Sequence, residues 1–127
     1  MTIQTHQAIN RILCGEALYL APGKAVVRMA TTPEMAADAT GLVHGGFVFG
    51  MADYAAMLAV NHPNVVLGSA ETTFTKPVRT GEMLEATAEV REKSGKKCVV
   101  GVLVTREGTE VMTGTFVCFV LTKHVLG

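Results

Sequence analysis

The residues that could do chemistry gather in one stretch, GLVHGGFVFGMADYAAMLAVN, residues 41–61. It reads as a helix that is apolar on every face except for one carboxylate, Asp53, nine positions after His44. A charged side chain is seldom buried unless something pairs with it or it has a chemical role. Asp53 could activate water or attack an acyl carbon directly. The alternative is a core aspartate bonded to a loop backbone. Gly45 and Gly46 bring bare N–H groups to the first helical turn, where amides lack internal partners and the helix dipole adds partial positive charge. Such amides suit a carbonyl oxygen becoming an oxyanion; the plainer reading is close packing at a loop-to-helix corner. His44 could act as a base or metal ligand, or fix the turn by hydrogen bonds. Asp38, six residues earlier, could position water, cap a turn or face solvent. His44, Asp53 and Asp38 match no standard metal-ligand spacing.

The elements that must position these groups are legible from periodicity. Residues 2–13 carry a rough apolar stripe, which predicts a short N-terminal helix. EALYLA and KAVVRMA read as two short strands divided by Pro22-Gly23, a turn signal. TTPEMAAD, residues 31–38, has Thr32 before Pro33, the pattern of a helix cap and first turn, one or two turns at most. The central helix then runs from the glycines to Asn61, with Pro63 closing it. A helix apolar all round must be enclosed by protein.

From Val65 onward the chain turns to strands. VVLGSAETTFT ends at Lys76-Pro77. In EMLEATAEVREK, Leu84, Ala86, Ala88 and Val90 alternate with Glu85, Thr87, Glu89 and Arg91, the period of a strand with one wet face. Ser94-Gly95 leads into KCVVGVLVTRE and Glu107-Gly108 into EVMTGTFVCFVLTK, tight connections that predict antiparallel neighbours. The expected order is two short strands, a buried helix and a four-stranded meander, an α+β arrangement in one domain spanning residues 1–127. The last two strands are apolar on both faces, so one face can pack on the helix and the other needs a second cover.

Composition narrows the function classes. Eleven basic and eleven acidic residues cancel, so no basic field draws nucleic acid. At 49% hydrophobic, the chain carries a surplus that suggests surface covered by another subunit. The longest uncharged run, residues 54–70, includes Asn61, His62, Pro63 and Asn64 and is no credible membrane span. The first residues have no basic start and long apolar block, so no export signal is expected. Cys14, Cys98 and Cys118 are odd in number and far apart, and read as reduced core residues. Cytoplasm is the default expectation.

GLVHGGFVFGMAD followed by TTFTKPVRTGEMLEATAEV resembles the hotdog-fold acyl-CoA thioesterases of the phenylacetic-acid-degradation (PaaI-like) group. The pattern is HGG, an acid nine positions after the histidine, then Pro77, Gly81 and Glu82 opening a later strand. The likeness covers roughly residues 15–122. It implies a hotdog fold, an antiparallel sheet wrapped around one long helix, and hydrolysis of an acyl-CoA with no cofactor beyond the coenzyme A of the substrate. It implies Asp53 as nucleophile or general base, the Gly45 N–H polarising the thioester carbonyl, Gly46 shaping the turn and His44 supporting it. In the family the acid and the facing glycine turn come from different subunits, so the resemblance implies a homodimer, and the second apolar sheet face a homotetramer.

One position departs from the pattern. Asp38 stands where the family usually has an asparagine that helps hold water or the acyl group, and a second carboxylate near Asp53 would raise one of the two pKa values. A thioester needs little activation, because thiolate leaves readily, and no GxSxG elbow occurs. Lys76 and Arg79 at one turn, and Lys93, Lys96 and Lys97 at another, could meet coenzyme A phosphates or simply be solvated. Two rivals follow. A hotdog hydratase or dehydratase tends to hold His and Asp close together in one segment. A non-catalytic acyl-CoA sensor, like the effector domains of lipid-synthesis repressors, lacks the helix acid and normally carries a DNA-binding helix-turn-helix. Asp53 and the lack of such a segment favour an enzyme.

Overall fold

Alternation on the strands and the turns between them build the sheet. The computed structural model describes residues 1–127. In order come α1 (Arg11–Cys14), β1 (Glu16–Ala21), β2 (Lys24–Ala30), a 3₁₀ turn (Pro33–Met35), α2 (Gly45–Val60), β3 (Val65–Phe74), β4 (Met83–Ser94), β5 (Lys97–Arg106) and β6 (Thr109–Val120). The strands form one six-stranded sheet in the order β1-β2-β4-β5-β6-β3, antiparallel throughout. Leu84, Ala86 and Ala88 of β4 and Val100, Val102 and Val104 of β5 are buried towards α2, with Glu85 and Glu89 on the other face. Cross-strand pairs Lys24–Glu89 and Arg28–Glu85 stand opposite each other in register on that outer face. Being exposed, each contributes at most about 1 kcal/mol.

The expected four-stranded meander is corrected. β4, β5 and β6 are consecutive neighbours, joined at Ser94↔Lys97 and Arg106↔Thr109. β3 instead lies at the far edge, paired with β6 from Val65↔Val120 to Phe74↔Met112. Adjacency is forced only by short loops such as Glu107-Gly108, where both residues have positive φ and twist the hairpin correctly. The link from β3 to β4, residues 75–82, carries Pro77 and imposes no such neighbour. It crosses the entrance of α2 and, as described below, braces the glycine turn.

The expected helix over residues 2–13 is also corrected. Only Arg11–Cys14 is helical, because Asn10 caps it there, its Oδ1 accepting from the N–H groups of Ile12 (2.9 Å) and Leu13 (3.1 Å). Residues 2–9 form an irregular strap fastened to the far end of α2. Asn61, left-handed at φ 50° as the C-cap, accepts from the Gln4 N–H at 2.8 Å and donates to the Thr2 carbonyl at 2.9 Å. Ile3 and Ile9 pack on the core from this strap, and Leu13 does so from α1.

The three cysteines are free. Cys98 and Cys118 stand opposite each other on β5 and β6, both buried. Burial pushes the Cys118 thiol up to about 12, with the Asp53 charge adding to it. At pH 8, Cys118 in the native protein is expected to react with a thiol reagent on the order of a thousandfold slower than a free cysteine. All three thiols should titrate once the chain is denatured, and rapid labelling of native Cys118 would contradict this packing.

Candidate active site

Helix α2 decides which groups are available. At 3.6 residues per turn, Gly46, Gly50, Asp53 and Met57 share one face. Gly46 is exposed, Gly50 and Asp53 are half-buried, and Met57 is fully buried. Val48, Met51, Ala52, Ala55 and Ala59, on the other sides, are buried in the core with the inward strand residues. Asp53 therefore lies on the stripe that the sheet leaves least covered. Its Oδ1 is enclosed by protein yet accepts no hydrogen bond. Burial raises the pKa of this carboxyl, and the charge of His6 partly opposes the rise. The Asp53 Oδ1 is thus not tied to any loop backbone within the protomer.

The glycine turn is built by long-range backbone bonds. The His44 N–H donates to the Met35 carbonyl at 2.9 Å, the Val43 N–H to Val78 at 2.8 Å, and the Phe47 N–H to His44 at 3.1 Å. These hold His44 extended at φ −63°, ψ 129°, so α2 begins at Gly45. The N–H groups of Gly45 and Gly46 make no hydrogen bond within the protein. Gly45 lines a cleft of about 280 Å³ with Val43, Val48, Phe74, Lys76 and Val78. A methyl at Gly45 would meet the Phe74 ring at 3.3 Å.

His44 holds the turn through its backbone only. Its imidazole caps nothing and makes no hydrogen bond in the protomer, so the bonds that fix the turn are those of its main chain. The ring instead lies over Gly46, where an added Cβ would come within 3.0 Å of it, and meets Phe47 edge-on at 6.2 Å. The absence of a side chain at Gly46 is what lets the imidazole fold back along the first turn.

Asp38 sits exposed in the loop before the helix. Its Oδ1 accepts from the Thr40 hydroxyl at 2.6 Å and the Thr40 N–H at 2.9 Å, bonds that hold its carboxyl below the usual range. It caps its own turn, and no charge from it reaches Asp53 within the protomer. The structure thus brings His44, Gly45 and Gly46 together, with Asp38 out on the loop. Asp53 lies eight residues along the helix from Gly45, about 12 Å away at 1.5 Å per residue.

Other basic residues fall in two places. Arg79 and Arg106 line a second cleft, of about 330 Å³, that shares Pro77 and Val78 with the first. Arg106 is committed, its Nη1 donating to the Pro77 carbonyl at 2.8 Å and standing 3.4 Å from the Glu82 carboxylate. Lys93 and Lys96 line a larger cavity of about 650 Å³ at the other end of α2. One residue that the sequence did not flag acts on Asp53, His6 through its charge, and the Asp53 carboxylate together with burial pushes up the thiol of Cys14. No sequence signal points to these two, which lie on the irregular strap and on α1, some forty residues away along the chain.

Residues 40–113 match the thioesterase superfamily. Among solved structures, an uncharacterized protein from Pyrococcus horikoshii is 53% identical with a TM-score of 0.99, covering 100% of this chain and 98% of that one. A mutant of the phenylacetic acid degradation protein PaaI from Thermus thermophilus is 34% identical with a TM-score of 0.80, covering 86% of this chain and 95% of that one. Among curated proteins, a methylthioribose-1-phosphate isomerase of Aquifex aeolicus is 48% identical over 91% of this chain and 25% of its own length. A transcription factor FapR of Caldanaerobacter subterraneus is 29% identical over 88% of this chain and 56% of its own length. The chain therefore spans between a quarter and just over half of these curated relatives. No helix is long and apolar enough to cross a membrane.

Proposed function

The chain belongs to the thioesterase superfamily and has its hotdog fold, and from that premise we propose that it hydrolyses an acyl-CoA thioester to a free acid and coenzyme A. The observation that carries the reading is the Asp53 carboxylate, enclosed on a half-covered helix face with an oxygen that nothing in its own chain satisfies. An unpaired buried acceptor costs about 1–3 kcal/mol, so a carboxylate kept there needs a use. Burial makes it a stronger base than a solvated aspartate, which suits it to take a proton from water.

The Gly45 amide supplies the second half. The water oxygen attacks the thioester carbon while Asp53 takes the proton. The carbonyl oxygen gathers charge against the free Gly45 N–H, and the C–S bond then breaks to release the thiolate of coenzyme A. About 12 Å of helix separates these two groups within one chain, too far for one acyl carbon. The reading therefore requires a homodimer in which the Asp53 of one subunit faces the partner's Gly45. Gly46 and His44 shape the turn, Asp38 stays with the loop, and Lys76 and Arg79 supply cations beside the Gly45 cleft for the phosphates of coenzyme A. The outer sheet face around Leu103, Val117 and Phe119 is the surface for a further pairing into a tetramer.

A second reading is favoured by the likeness to FapR: a module that binds acyl-CoA without turnover. A panel of aryl, short-chain and medium-chain acyl-CoA thioesters, followed by thiol release, separates the two. Turnover that vanishes in Asp53→Ala supports the enzyme. Binding without turnover in the wild type supports the sensor, and unchanged hydrolysis in the variant removes Asp53 from its role.

A further inference from the structure

The end of α2 remote from the glycine turn closes on a cavity of about 650 Å³ that the site described above does not use. Four segments meet there: the last turn of α2 with His62, the β1–β2 turn, the β4–β5 turn and the end of β6. Their backbones are tied to one another. The Val90 N–H donates to the Gly23 carbonyl at 2.8 Å, and the Val120 N–H donates to the Lys96 carbonyl at 2.8 Å. A bulge between Val90 and Glu92 interrupts the register of β4 just before its turn. Such a bulge bends the strand and re-aims the side chains beyond it, here towards Lys93.

The lining divides by chemistry. Ala59 and Cys98 are buried, and Val60, Val90 and Val120 are half-buried, so the floor is apolar. The polar side chains are those of His62, Lys93 and Lys96, and no carboxylate lines the cavity. Neither lysine joins the ion pairs of the protein, which are Lys24–Glu89, Arg28–Glu85 and Arg106–Glu82. The His62 ring is fixed by the Asn64 N–H, which donates to Nδ1 at 3.0 Å. In the neutral ring Nε2 therefore carries the proton, so all three polar groups are donors. The volume lies within the range of small-molecule sites, about 300–1,000 Å³.

We propose that this cavity binds a single-chain amphiphilic anion, its carboxylate or phosphate head at Lys93, Lys96 and His62 and its tail on the floor of Ala59, Val90 and Val120. A small inorganic anion would meet the lysines but leave the apolar floor in water, where covering it is favourable. A neutral apolar molecule would cover the floor and leave two like charges side by side, whereas an anion attracts both. The site is separate from the candidate active site. Ala59 stands six residues beyond Asp53, about 9 Å along the helix, and the proposal holds whether or not the protein is a hydrolase.

The test titrates decanoate, below its micelle concentration, into isotope-labelled wild type and Lys93→Gln/Lys96→Gln protein, read by amide NMR and calorimetry. Decyl phosphate, decanol, decyltrimethylammonium and acetate are run beside it. Decanoate and decyl phosphate are expected to shift the amides of Gly23, His62 and Gly95, and the tighter of the two identifies the head group. Decanol, the cation and acetate should each bind at least about tenfold more weakly. The double variant should lose about tenfold in affinity for both anions. Both lysines are exposed, so its Tm should match the wild type. Asp53→Asn should bind decanoate as the wild type does. Shifts that fall on Gly45 to Asp53 instead overturn the proposal, as do unchanged affinity in the double variant, equal binding of decanol, or no binding at about 1 mM.

Discussion

Asp53→Asn is expected to lower kcat by about 10²- to 10⁴-fold and to raise the melting temperature of the same protein. The first effect follows from removing the general base while keeping the shape of the side chain. The second follows from linkage. Burial raises the Asp53 pKa above its ordinary value of 3.8. A group with a raised pKa in the folded state adds stability when protonated, an advantage complete below the unfolded value and lost as pH rises through the folded one. At neutral pH the wild type holds a desolvated charge, and asparagine removes that charge. The difference in Tm should be small near pH 4 and grow towards pH 8. Calorimetry at both values with the acyl-CoA assay checks the pair of effects. A variant that is inactive but no more stable would mean that Asp53 is satisfied in the assembled protein; one that is active would end its catalytic role.

Gly45→Pro is expected to lower kcat by about 10²- to 10³-fold with the fold intact, because it removes one N–H and little else. Proline is well tolerated at the first position of a helix, where its missing donor has no intrahelical partner. The residue before a proline is pushed towards extended backbone, and His44 is already there at ψ 129°. The Gly45 N–H makes no bond that proline would break, and a Cβ at this position meets the Phe74 side chain first, at 3.3 Å. Gly45→Ala is the control. It keeps the N–H and adds a methyl against the same ring, so it should retain most of the activity. Equal loss in both variants would indicate crowding against Phe74, not an amide donor. A fully active Gly45→Pro protein with wild-type Tm would place the oxyanion donor elsewhere.

The two substitutions probe opposite ends of one requirement, since neither group can reach the other's substrate atom in its own chain. Mixing inactive Asp53→Asn with inactive Gly45→Pro subunits should therefore recover about one active site in each mixed dimer. Recovered turnover after refolding an equimolar mixture reads out the shared site directly, and no recovery would count against it.

Whatever depends on neighbours along the chain was legible in the residues themselves. The alternation of Leu84, Ala86 and Ala88 with Glu85 and Glu89 set the faces of β4, because side chains on a strand alternate by geometry. The glycine turn and Asn61 bounded α2, and the two-residue turns fixed β4, β5 and β6 as neighbours. The HGG turn and the acid nine positions later placed the candidate residues on one helix and pointed to a family.

The remaining features came from packing between distant parts of the chain. β3 went to the outer edge beside β6 because its exit loop is long, and a long loop costs little more to close in one arrangement than in another. The strap took its path from an asparagine cap at residue 61, a contact no local pattern records. Asp38 bound its own loop through Thr40, and the His44 ring folded over Gly46 without making a bond. That Asp53 ends on the half-covered stripe, under the charge of His6, follows from which helix face the sheet leaves open. Periodicity says that a helix has an apolar surface; only packing says which part of it stays free to meet another molecule.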